Sequence, residues 1–315
     1  MKIVFLDTLT LGDDIDLSGF EAYGELVTYS TSTQEEMAER TKDADIIVVN
    51  KCLVNEASIG EAKNLKLVCV SATGTNNLDK EYLAQRKIPW KNVAGYSTDI
   101  VAQHTFALLL YVEEKLKYYD EFVKSKKYCD YPIFTNLEKP FHQIAGATWG
   151  IIGLGNIGRK VAKIAEAFGA KVIYASASGA KPQPGYTQVD MDTLFAQSDI
   201  ISVHAPLDEH TEGLINKEAF AKMKKNCILL NLGRGPIVVE EDLCEALESG
   251  QIRGAGIDVL CKEPMDVKNP LLKIKDSDKL IITPHIAWAS VEARKTLIGM
   301  VLDQVKEFTL NATSM

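Results

Sequence analysis

Four polar residues in the second half of the chain lie at or just after the ends of apolar runs that are typical of buried strands. They are Arg234, Asp258, Glu263 and His285. Open parallel sheets bind their ligands at the carboxyl ends of the strands, so these four side chains are expected to converge on one crevice. The spacing therefore predicts a single site built by the second half of the chain.

The residue types in this group suit the reduction of a 2-keto acid. Imidazole titrates near neutrality, so His285 would give a proton to the carbonyl oxygen. A carboxylate beside it would stabilise the imidazolium and fix the ring, which is the role expected of Glu263. The guanidinium of Arg234 would bind the substrate carboxylate and polarise the carbonyl. Taken singly, His285 is compatible with a structural role, and Arg234 and Asp258 with surface ion pairs.

A glycine-rich turn supplies the second element of such a reaction. The segment from Gly153 to Gly158 has the pattern GxGxxG, follows a strand-like run and opens an amphipathic segment. The first glycine permits the tight turn, the second lets a pyrophosphate approach the backbone, and the third allows helix and strand to pack closely. The amides at the helix N-terminus would face the phosphates. The pattern predicts a dinucleotide site rather than a merely structural turn.

The loop after the next strand leaves the choice between NAD and NADP open. An NAD site usually has Asp or Glu about 20 residues beyond the glycines, where the carboxylate binds the adenosine ribose. This chain has no carboxylate from Ala175 to Lys181. The hydroxyls of Ser176 and Ser178, helped by Lys181, could bind a 2′-phosphate, although the loop has no arginine to clamp it. The two serines are equally compatible with a plain polar turn.

Alternating strand-like and helix-like segments predict an α/β fold with parallel sheets. In the first hundred residues, buried strands are expected at Lys2 to Leu6, Asp45 to Asn50 and Leu67 to Val70. A second series is expected at Thr148 to Ile152, Lys171 to Tyr174, Ile200 to Val203, Cys227 to Asn231, Gly254 to Asp258 and Leu280 to Ile282. The length of 315 residues also favours two domains, with a cleft between them.

Two long helices are predicted beside the sheets. The first, Asp99 to Tyr119, begins after Ser97 and Thr98, which are suitable N-cap residues, and would join the domains. The second runs from Ser290 to about Leu310. Periodicity alone does not assign that second helix to either domain.

Composition and charge indicate a globular protein that binds neither nucleic acid nor membrane. Hydrophobic residues make up 46% and charged residues 25% of the chain, and the formal net charge is -8. No basic surface is expected to meet a phosphate backbone, and no apolar run reaches the roughly 18 residues of a membrane helix. Asp7 interrupts the first apolar run too early for a secretory signal. Six scattered cysteines indicate reduced thiols, a cytoplasmic location and no metal site.

Five blocks of the sequence, taken in order, match a known family. They are Gly153 to Gly158, Asn231 to Gly235, Gly256 to Val259 with Glu263-Pro264, and Thr283 to Ser290, with Val203 to Leu207 as a fifth and weaker match. In these blocks, whose order and spacing are highly specific, the chain resembles the D-isomer-specific 2-hydroxyacid dehydrogenases, and the resemblance covers essentially its whole length. It implies an NAD- or NADP-dependent oxidoreductase with a Rossmann-type dinucleotide-binding domain and a discontinuous flavodoxin-like substrate domain.

The resemblance also implies boundaries and a catalytic triad. Residues 100–288 would bind the dinucleotide, and residues 1–99 with 289–315 would form the substrate domain, completed by the last helix. Arg234, Glu263 and His285 would be the catalytic residues.

The same resemblance assigns the binding residues. The loop Ala72-Thr73-Gly74 would hold the substrate carboxylate through its amides, beside Arg234 and His285. Asp258 would lie near the nicotinamide. The full set of cofactor-binding residues expected from the glycine turn, the serine loop and the resemblance is Gly153, Gly155, Asn156, Ile157, Gly158, Ser176, Ala205, Pro206, Thr211, Leu232, Gly233, Arg234, Asp258 and His285.

Within the family, the resemblance favours a hydroxypyruvate and glyoxylate reductase, that is, a glycerate dehydrogenase, acting as a homodimer. The block around Trp288 and the lack of a C-terminal regulatory extension favour this substrate class. D-lactate and phosphoglycerate dehydrogenases are the alternatives, and so is an NAD(H)-sensing corepressor of the same fold. Among other histidines, His104 is expected to be a core or packing residue, and His204 would touch the cofactor through its backbone.

Overall fold

Two parallel sheets lie in two separate units of the chain. In the computed structural model, which describes residues 1–179 and 182–313, unit 1 consists of Met1–Ser97 and the segment from Ala289 onward, and unit 2 is Thr98–Trp288. The predicted α/β class is confirmed. The substrate and dinucleotide roles of the units, with the expected boundaries after residues 99 and 288, stay predictions.

The sheet of unit 1 has five strands: β1 (Lys2–Phe5), β2 (Glu25–Thr28), β3 (Ile46–Val49), β4 (Leu67–Val70) and β5 (Trp90–Asn92). Their spatial order is β2-β1-β3-β4-β5, the doubly wound order of flavodoxin-like sheets. The helices that follow β2, β3 and β4 are α1 (Gln34–Arg40), α2 (Glu56–Ile59) and α3 (Lys80–Gln85). Every residue of β3 and β4 is buried, because central parallel strands are covered on both faces.

The three strands predicted in this unit are present, with β1 one residue shorter at its end and β3 one residue shorter at both ends. β2 and β5 are missing from the sequence predictions. Both are edge strands, and their residues are partly or fully exposed. An edge strand needs no continuous apolar run, so the pattern that identified the central strands is absent from them.

Unit 2 has a seven-stranded parallel sheet: β6 (Thr148–Ile152), β7 (Lys171–Ala175), β8 (Thr187–Gln188), β9 (Ile200–Val203), β10 (Ile228–Asn231), β11 (Gly254–Ile257) and β12 (Leu280–Ile282). The order is β12-β11-β10-β9-β6-β7-β8. All six predicted strands occur within a residue of the expected bounds, and only the two-residue β8 was not expected. The chain changes direction across the sheet between β6 and β9, which is the point where such sheets bind dinucleotides.

The described residues of unit 2 contain six α-helices: α4 (Thr98–Glu113), α5 (Leu116–Lys124), α6 (Asn156–Ala167), α7 (Met191–Gln197), α8 (Lys217–Lys222) and α9 (Glu240–Ser249). Two glycines of β11 determine how closely α4 packs on the sheet. A Cβ at Gly254 would meet Val112 at 2.6 Å, and one at Gly256 would meet Leu108 at 2.9 Å. Because both positions lack a side chain, α4 lies directly against β11 and can present side chains to its end.

The prediction of a single helix from Asp99 to Tyr119 is wrong, because two helices, α4 and α5, occupy this stretch. Between α4 and α5, Lys115 has a φ of 55°, a left-handed conformation that an α-helix cannot contain. The buried Lys115 donates from Nζ to the Asp278 carbonyl, 2.9 Å away. This tertiary bond holds the break, and helical periodicity gives no sign of it.

The last helix, α10 (Val291–Thr313), packs on unit 1. Its Arg294 forms an ion pair with Asp14 and donates to the Leu11 carbonyl at 2.5 Å. Further along, Gln304 donates to the Asn92 carbonyl at 2.8 Å. Unit 1 is therefore discontinuous in sequence. Within the described ranges, no helix has both the length and the apolar character that a membrane crossing requires.

Candidate active site

The Asp258 carboxylate organises the turn that follows β12. Asp258 comes directly after β11 and is 1% exposed. Its Oδ1 accepts from the Thr283 hydroxyl at 2.6 Å and from the Ile286 amide at 2.9 Å, and its Oδ2 accepts from the Ala287 amide at 2.9 Å. Three donors compensate a buried carboxylate that would otherwise be costly to desolvate. The expected contact of Asp258 with a nicotinamide stays a prediction.

His285 sits inside this turn in a strained backbone conformation. Its φ is 54°, which costs a residue other than glycine on the order of 1 kcal/mol or more. The His285 amide donates to the carbonyls of Asp258 and Thr283, at 2.8 and 2.9 Å. The Asp258 backbone and side chain thus bind the turn on both sides of the histidine, and this aims its ring.

The ring of His285 is paired with Glu263. Its Nδ1 lies 2.7 Å from Glu263 Oε2, with the two side chains 26% and 35% exposed. The other carboxylate oxygen, Oε1, accepts from the Leu260 amide at 2.9 Å, so the Glu263 side chain is fixed against its own loop. A carboxylate on Nδ1 leaves Nε2 as the ring nitrogen that can exchange a proton with a substrate.

Arg234 is brought to the same loop by the turn after β10. The buried Asn231 shapes this turn, since its side chain donates to the Arg234 carbonyl at 3.0 Å and accepts from the Gly233 amide at 3.1 Å. The next residue, Gly235, packs so closely on Leu260 that a Cβ would overlap the Leu260 carbonyl. The turn that carries Arg234 therefore touches the loop that carries Glu263.

A second histidine reaches this network from α4. His104 Nε2 lies 3.1 Å from Thr283 Oγ1 and 3.6 Å from Asp258 Oδ1. His104, expected to be a core or packing residue, is half-buried, and its ring is hydrogen-bonded at the end of β11 and β12. Burial lowers the pKa of His104, and the Asp258 charge partly opposes that shift. The apolar pattern of α4 concealed the contact, because the partners are about 150 to 180 residues further along the chain.

The glycine turn connects β6 to the N-terminus of α6. Gly153 has a φ of 91°, and a Cβ there would meet the Ala205 amide at 2.7 Å. A Cβ at Gly158 would overlap the Gly153 carbonyl, whereas one at Gly155 would have no atom within 4 Å. The first and third glycines are thus required by packing inside the protein, and the second leaves open space beside the helix. The residues present fit a dinucleotide pyrophosphate.

The N-terminus of α6 can accept an anion. No side chain caps it, and its first amides, those of Asn156, Ile157 and Gly158, have no acceptor within the helix. Arg159, which was not predicted, brings a positive charge to the turn. Its guanidinium donates to Asn156 Oδ1 at 2.6 Å and to the Leu154 carbonyl at 3.2 Å.

The other residues expected at the cofactor lie around the glycine turn. Ala205 packs against Gly153, and Gly233 is so close that a Cβ would meet the Ala205 carbonyl at 2.9 Å. Thr211 donates from its hydroxyl to the Pro206 carbonyl at 2.8 Å. Leu232 is buried in the same cluster as Leu154 of the glycine turn. The turns after β6, β9 and β10 thus lie close together, as expected for the carboxyl ends of parallel strands.

His204 is buried at the end of β9 beside this turn. Neither ring nitrogen has a hydrogen-bond partner among the described residues, and burial lowers its pKa to about 3. The ring is therefore neutral at physiological pH.

The loop after β7 carries the two serines. Ser176 Oγ and Ser178 Oγ are 3.4 Å apart. Lys181, the third residue expected to bind a 2′-phosphate, lies outside the described residues. The loop Ala72 to Gly74 follows β4 in unit 1, where the Thr73 hydroxyl donates to the Val93 carbonyl at 2.9 Å. Within the described ranges, no three His, Cys, Asp or Glu side chains are grouped as a metal site would need.

Comparison with known proteins places this geometry in a family. Residues 106–287 match the model of the "D-isomer specific 2-hydroxyacid dehydrogenase, NAD binding domain". The chain is 40% identical over 314 residues to a hydroxypyruvate reductase of Blautia hydrogenotrophica, covering 98% of this chain and 97% of that protein. It is 39% identical over 316 residues to a glycerate dehydrogenase of Methylorubrum extorquens, covering 98% and 96%.

Solved structures are similar over the same length. An acyclic imino acid reductase in complex with NADPH and D-Arg has a TM-score of 0.85 at 30% identity, with 99% of this chain and 98% of that chain covered. D-lactate dehydrogenase from Aquifex aeolicus, complexed with NAD and lactic acid, has a TM-score of 0.85 at 26% identity, covering 99% and 96%. These neighbours bind different nicotinamide dinucleotides, so they leave the choice of cofactor open.

The open space at Gly155 generates a test of the dinucleotide site. We expect Gly155→Ala to keep the thermal unfolding midpoint of the wild type, because the added methyl group meets no protein atom. The same methyl group would occupy the approach to the pyrophosphate, so the Kd for NADH or NADPH should rise at least about tenfold. Fluorescence titration measures the Kd. The matched control is Gly158→Ala, which should lower the unfolding midpoint, and normal dinucleotide affinity in Gly155→Ala would contradict the assignment.

Proposed function

The chain belongs to the D-isomer specific 2-hydroxyacid dehydrogenases, and we propose that within this family it reduces hydroxypyruvate to D-glycerate or glyoxylate to glycolate. The pairing of His285 with Glu263 at 2.7 Å is the observation that carries the reaction. The substrate class is supported by the two full-length relatives named above.

In the reductive direction, we assign the proton transfer to His285. Glu263 engages Nδ1, stabilises the imidazolium and keeps the ring in one orientation, so the proton leaves from Nε2 toward the carbonyl oxygen. In the oxidative direction, the same nitrogen accepts the hydroxyl proton. When bound, NADH or NADPH would supply the hydride in the reductive direction, and NAD⁺ or NADP⁺ would accept it in the oxidative direction.

We assign the substrate carboxylate to Arg234, while its binding by the backbone amides of Ala72 to Gly74 stays a prediction from the sequence. A guanidinium can donate two parallel hydrogen bonds to a carboxylate, and its charge also polarises the neighbouring carbonyl. Amides of a loop with small side chains can approach an anion closely. The buried Asn231 supports this assignment, because it fixes the backbone from which the Arg234 side chain extends.

The pyrophosphate of either cofactor would lie at Gly155 and the first amides of α6. Ala205, Pro206, Thr211, Leu232 and Gly233 would line the rest of the crevice, at the ends of β9 and β10. The adenosine ribose would lie at Ser176. Since this loop has hydroxyls and no carboxylate, either NAD or NADP can be accepted there.

A homodimer would cover an exposed apolar segment of unit 2. Residues 116–141, which we call the apolar segment, expose seven large hydrophobic side chains: Leu116, Val123, Tyr128, Ile133, Phe134, Leu137 and Phe141. Phe134 is 89% and Leu137 is 75% exposed. Large exposed apolar surfaces commonly mark protein–protein contacts, and a second copy of the chain would bury these side chains. The six free cysteines, all within the described residues, suit the proposed cytoplasmic location.

The acid/base assignment is tested by His285→Ala. We expect turnover to fall by a factor on the order of 10² to 10⁴, because a positioned acid/base contributes about that much. The measurement is oxidation of NADH and NADPH with hydroxypyruvate, glyoxylate, pyruvate and 3-phosphohydroxypyruvate. His210→Ala, at an exposed histidine, should keep wild-type turnover.

Each outcome of this assay bears on one assignment. Near-normal turnover in His285→Ala would contradict the role of the histidine. Preference of the wild type for pyruvate or for the phosphorylated acid would replace the proposed substrate with that of a D-lactate or phosphoglycerate dehydrogenase. Binding of NADH without turnover of any acid would favour the dinucleotide sensor.

Cofactor choice is tested by Ser176→Asp. A carboxylate at this position would repel a 2′-phosphate and bind the ribose hydroxyls, so the ratio of kcat/KM for NADPH to that for NADH should fall about tenfold. The control is Thr187→Asp, which adds the same charge on the neighbouring β8 at an exposed position. If this ratio falls equally in both variants, the effect is one of general electrostatics. If it does not fall in Ser176→Asp, Ser176 does not line the ribose pocket.

The proposed dimer is tested on the two most exposed side chains of the apolar segment. The double substitution Phe134→Ser and Leu137→Ser should raise the dimer dissociation constant at least about tenfold, since it removes apolar area from the interface. Sedimentation velocity across a concentration series measures this constant. Val267→Ser is the control, because Val267 is 87% exposed and lies outside the segment. A wild type that sediments as a monomer at every concentration would contradict the homodimer.

A further inference from the structure

His104 is a titratable group that the proton transfer does not use, although it lies within hydrogen-bond distance of the network around His285. Its side chain is 18% exposed, and its Nε2 is 3.1 Å from the Thr283 hydroxyl oxygen. Two glycines of β11 let α4 pack close enough for this contact. The His104 ring therefore reaches the ends of β11 and β12 because α4 packs directly on the two glycines of β11.

The hydrogen bonds around Thr283 determine which nitrogen of His104 carries a proton. The Thr283 hydroxyl donates its only hydrogen to Asp258 Oδ1, 2.6 Å away. Its oxygen can therefore only accept from His104, and Nε2 must carry the proton. Nε2 also lies 3.6 Å from Asp258 Oδ1, where an N–H is favourable and a lone pair is not. The chain of donors runs from His104 through Thr283 to the carboxylate.

The end of that chain is the group that shapes the acid/base turn. Asp258 accepts from the amides of Ile286 and Ala287 and, through its carbonyl, from the amide of His285. A shift of the carboxylate would move the amides of Ile286 and Ala287, which directly follow a residue already held at a φ of 54°. The orientation of the His285 ring thus depends on how firmly Thr283 and His104 hold the Asp258 carboxylate.

We propose that His104 is a positioning residue that acts through Thr283 and Asp258 on the turn carrying the acid/base. This role requires a neutral ring that donates from Nε2. Its expected effect on kinetics rests on the proposed function. Burial supports that state, because it lowers the pKa of His104 even though the Asp258 charge opposes the shift. The ring needs no contact with substrate or cofactor for this role.

The first experiment is independent of enzyme activity. Nitrogen-15 NMR of histidine-labelled protein at neutral pH distinguishes the two neutral tautomers of each ring. We expect His104 to be the Nε2–H tautomer in the wild type and in Thr283→Ser, and to lose the single tautomer in Thr283→Val. An Nδ1–H tautomer in the wild type, or the same signal in all three proteins, would overturn the proposal even if the proposed reaction were wrong.

The second experiment separates positioning from packing by kinetics with the keto acid and cofactor that the wild type prefers. His104→Phe keeps a planar ring of similar volume without the donor, and we expect kcat to fall about tenfold, with KM for both substrates within about twofold. His104→Gln restores an N–H donor at a similar reach and should recover most of the loss. If His104→Phe keeps the kcat of the wild type, His104 contributes only to packing and the proposal is overturned.

A double-mutant cycle tests the route. If His104 acts through the Thr283 hydroxyl, then His104→Phe with Thr283→Val should be no slower than Thr283→Val alone. Losses that multiply would show that the two residues act separately and would overturn the proposed chain. If His104→Phe does not fold, the pair Thr283→Val and Thr283→Ser decides the question. A loss confined to the valine variant supports the route, and equal kcat values reject it.

Discussion

The carboxylate of Asp258 is the group on which the rest of the site depends. It is buried, so its charge must be compensated, and the protein compensates it with the backbone of the segment that contains His285. His285, the proposed acid/base, is thereby fixed by hydrogen bonds of the main chain around it rather than by packing of its own ring. The ring remains about a quarter exposed and is available to a substrate while its backbone is held in a strained conformation. Glu263 then needs to determine only the rotation and protonation of the imidazole.

The sheet of unit 2 explains why these residues can meet although they are far apart in sequence. β10, β11 and β12 are adjacent and parallel, so the turns after them emerge at the same edge. Gly235 lets the turn after β10 touch Leu260, and Asp258 ties the turn after β12 to the end of β11. Each neighbouring pair of turns is joined by a direct contact. The arrangement resists local distortion because a change in any one turn is opposed by its neighbour.

Sequence patterns located much of this architecture, and their limits are physical. The central strands are continuous apolar runs because both faces are covered, so they could be found, whereas β2 and β5 at the edges carry no such run. The glycine turn and the pairing of Glu263 with His285 follow from spacing relative to strand ends. The break at Lys115 and the contact of His104 with Thr283 depend on tertiary partners more than 150 residues away. No periodicity within a helix encodes such partners.

Because unit 1 is discontinuous in sequence, its fold cannot be completed until unit 2 has been synthesised. Its five strands are made before unit 2, but α10, which binds the loop at Leu11 and the end of β5, is made after it. All of unit 2 leaves the ribosome in between. Domains fold as they emerge, so unit 2 can acquire its structure while the first sheet still lacks one of its covering helices. The nascent chain must keep that sheet from aggregating for the time needed to translate about 190 further residues.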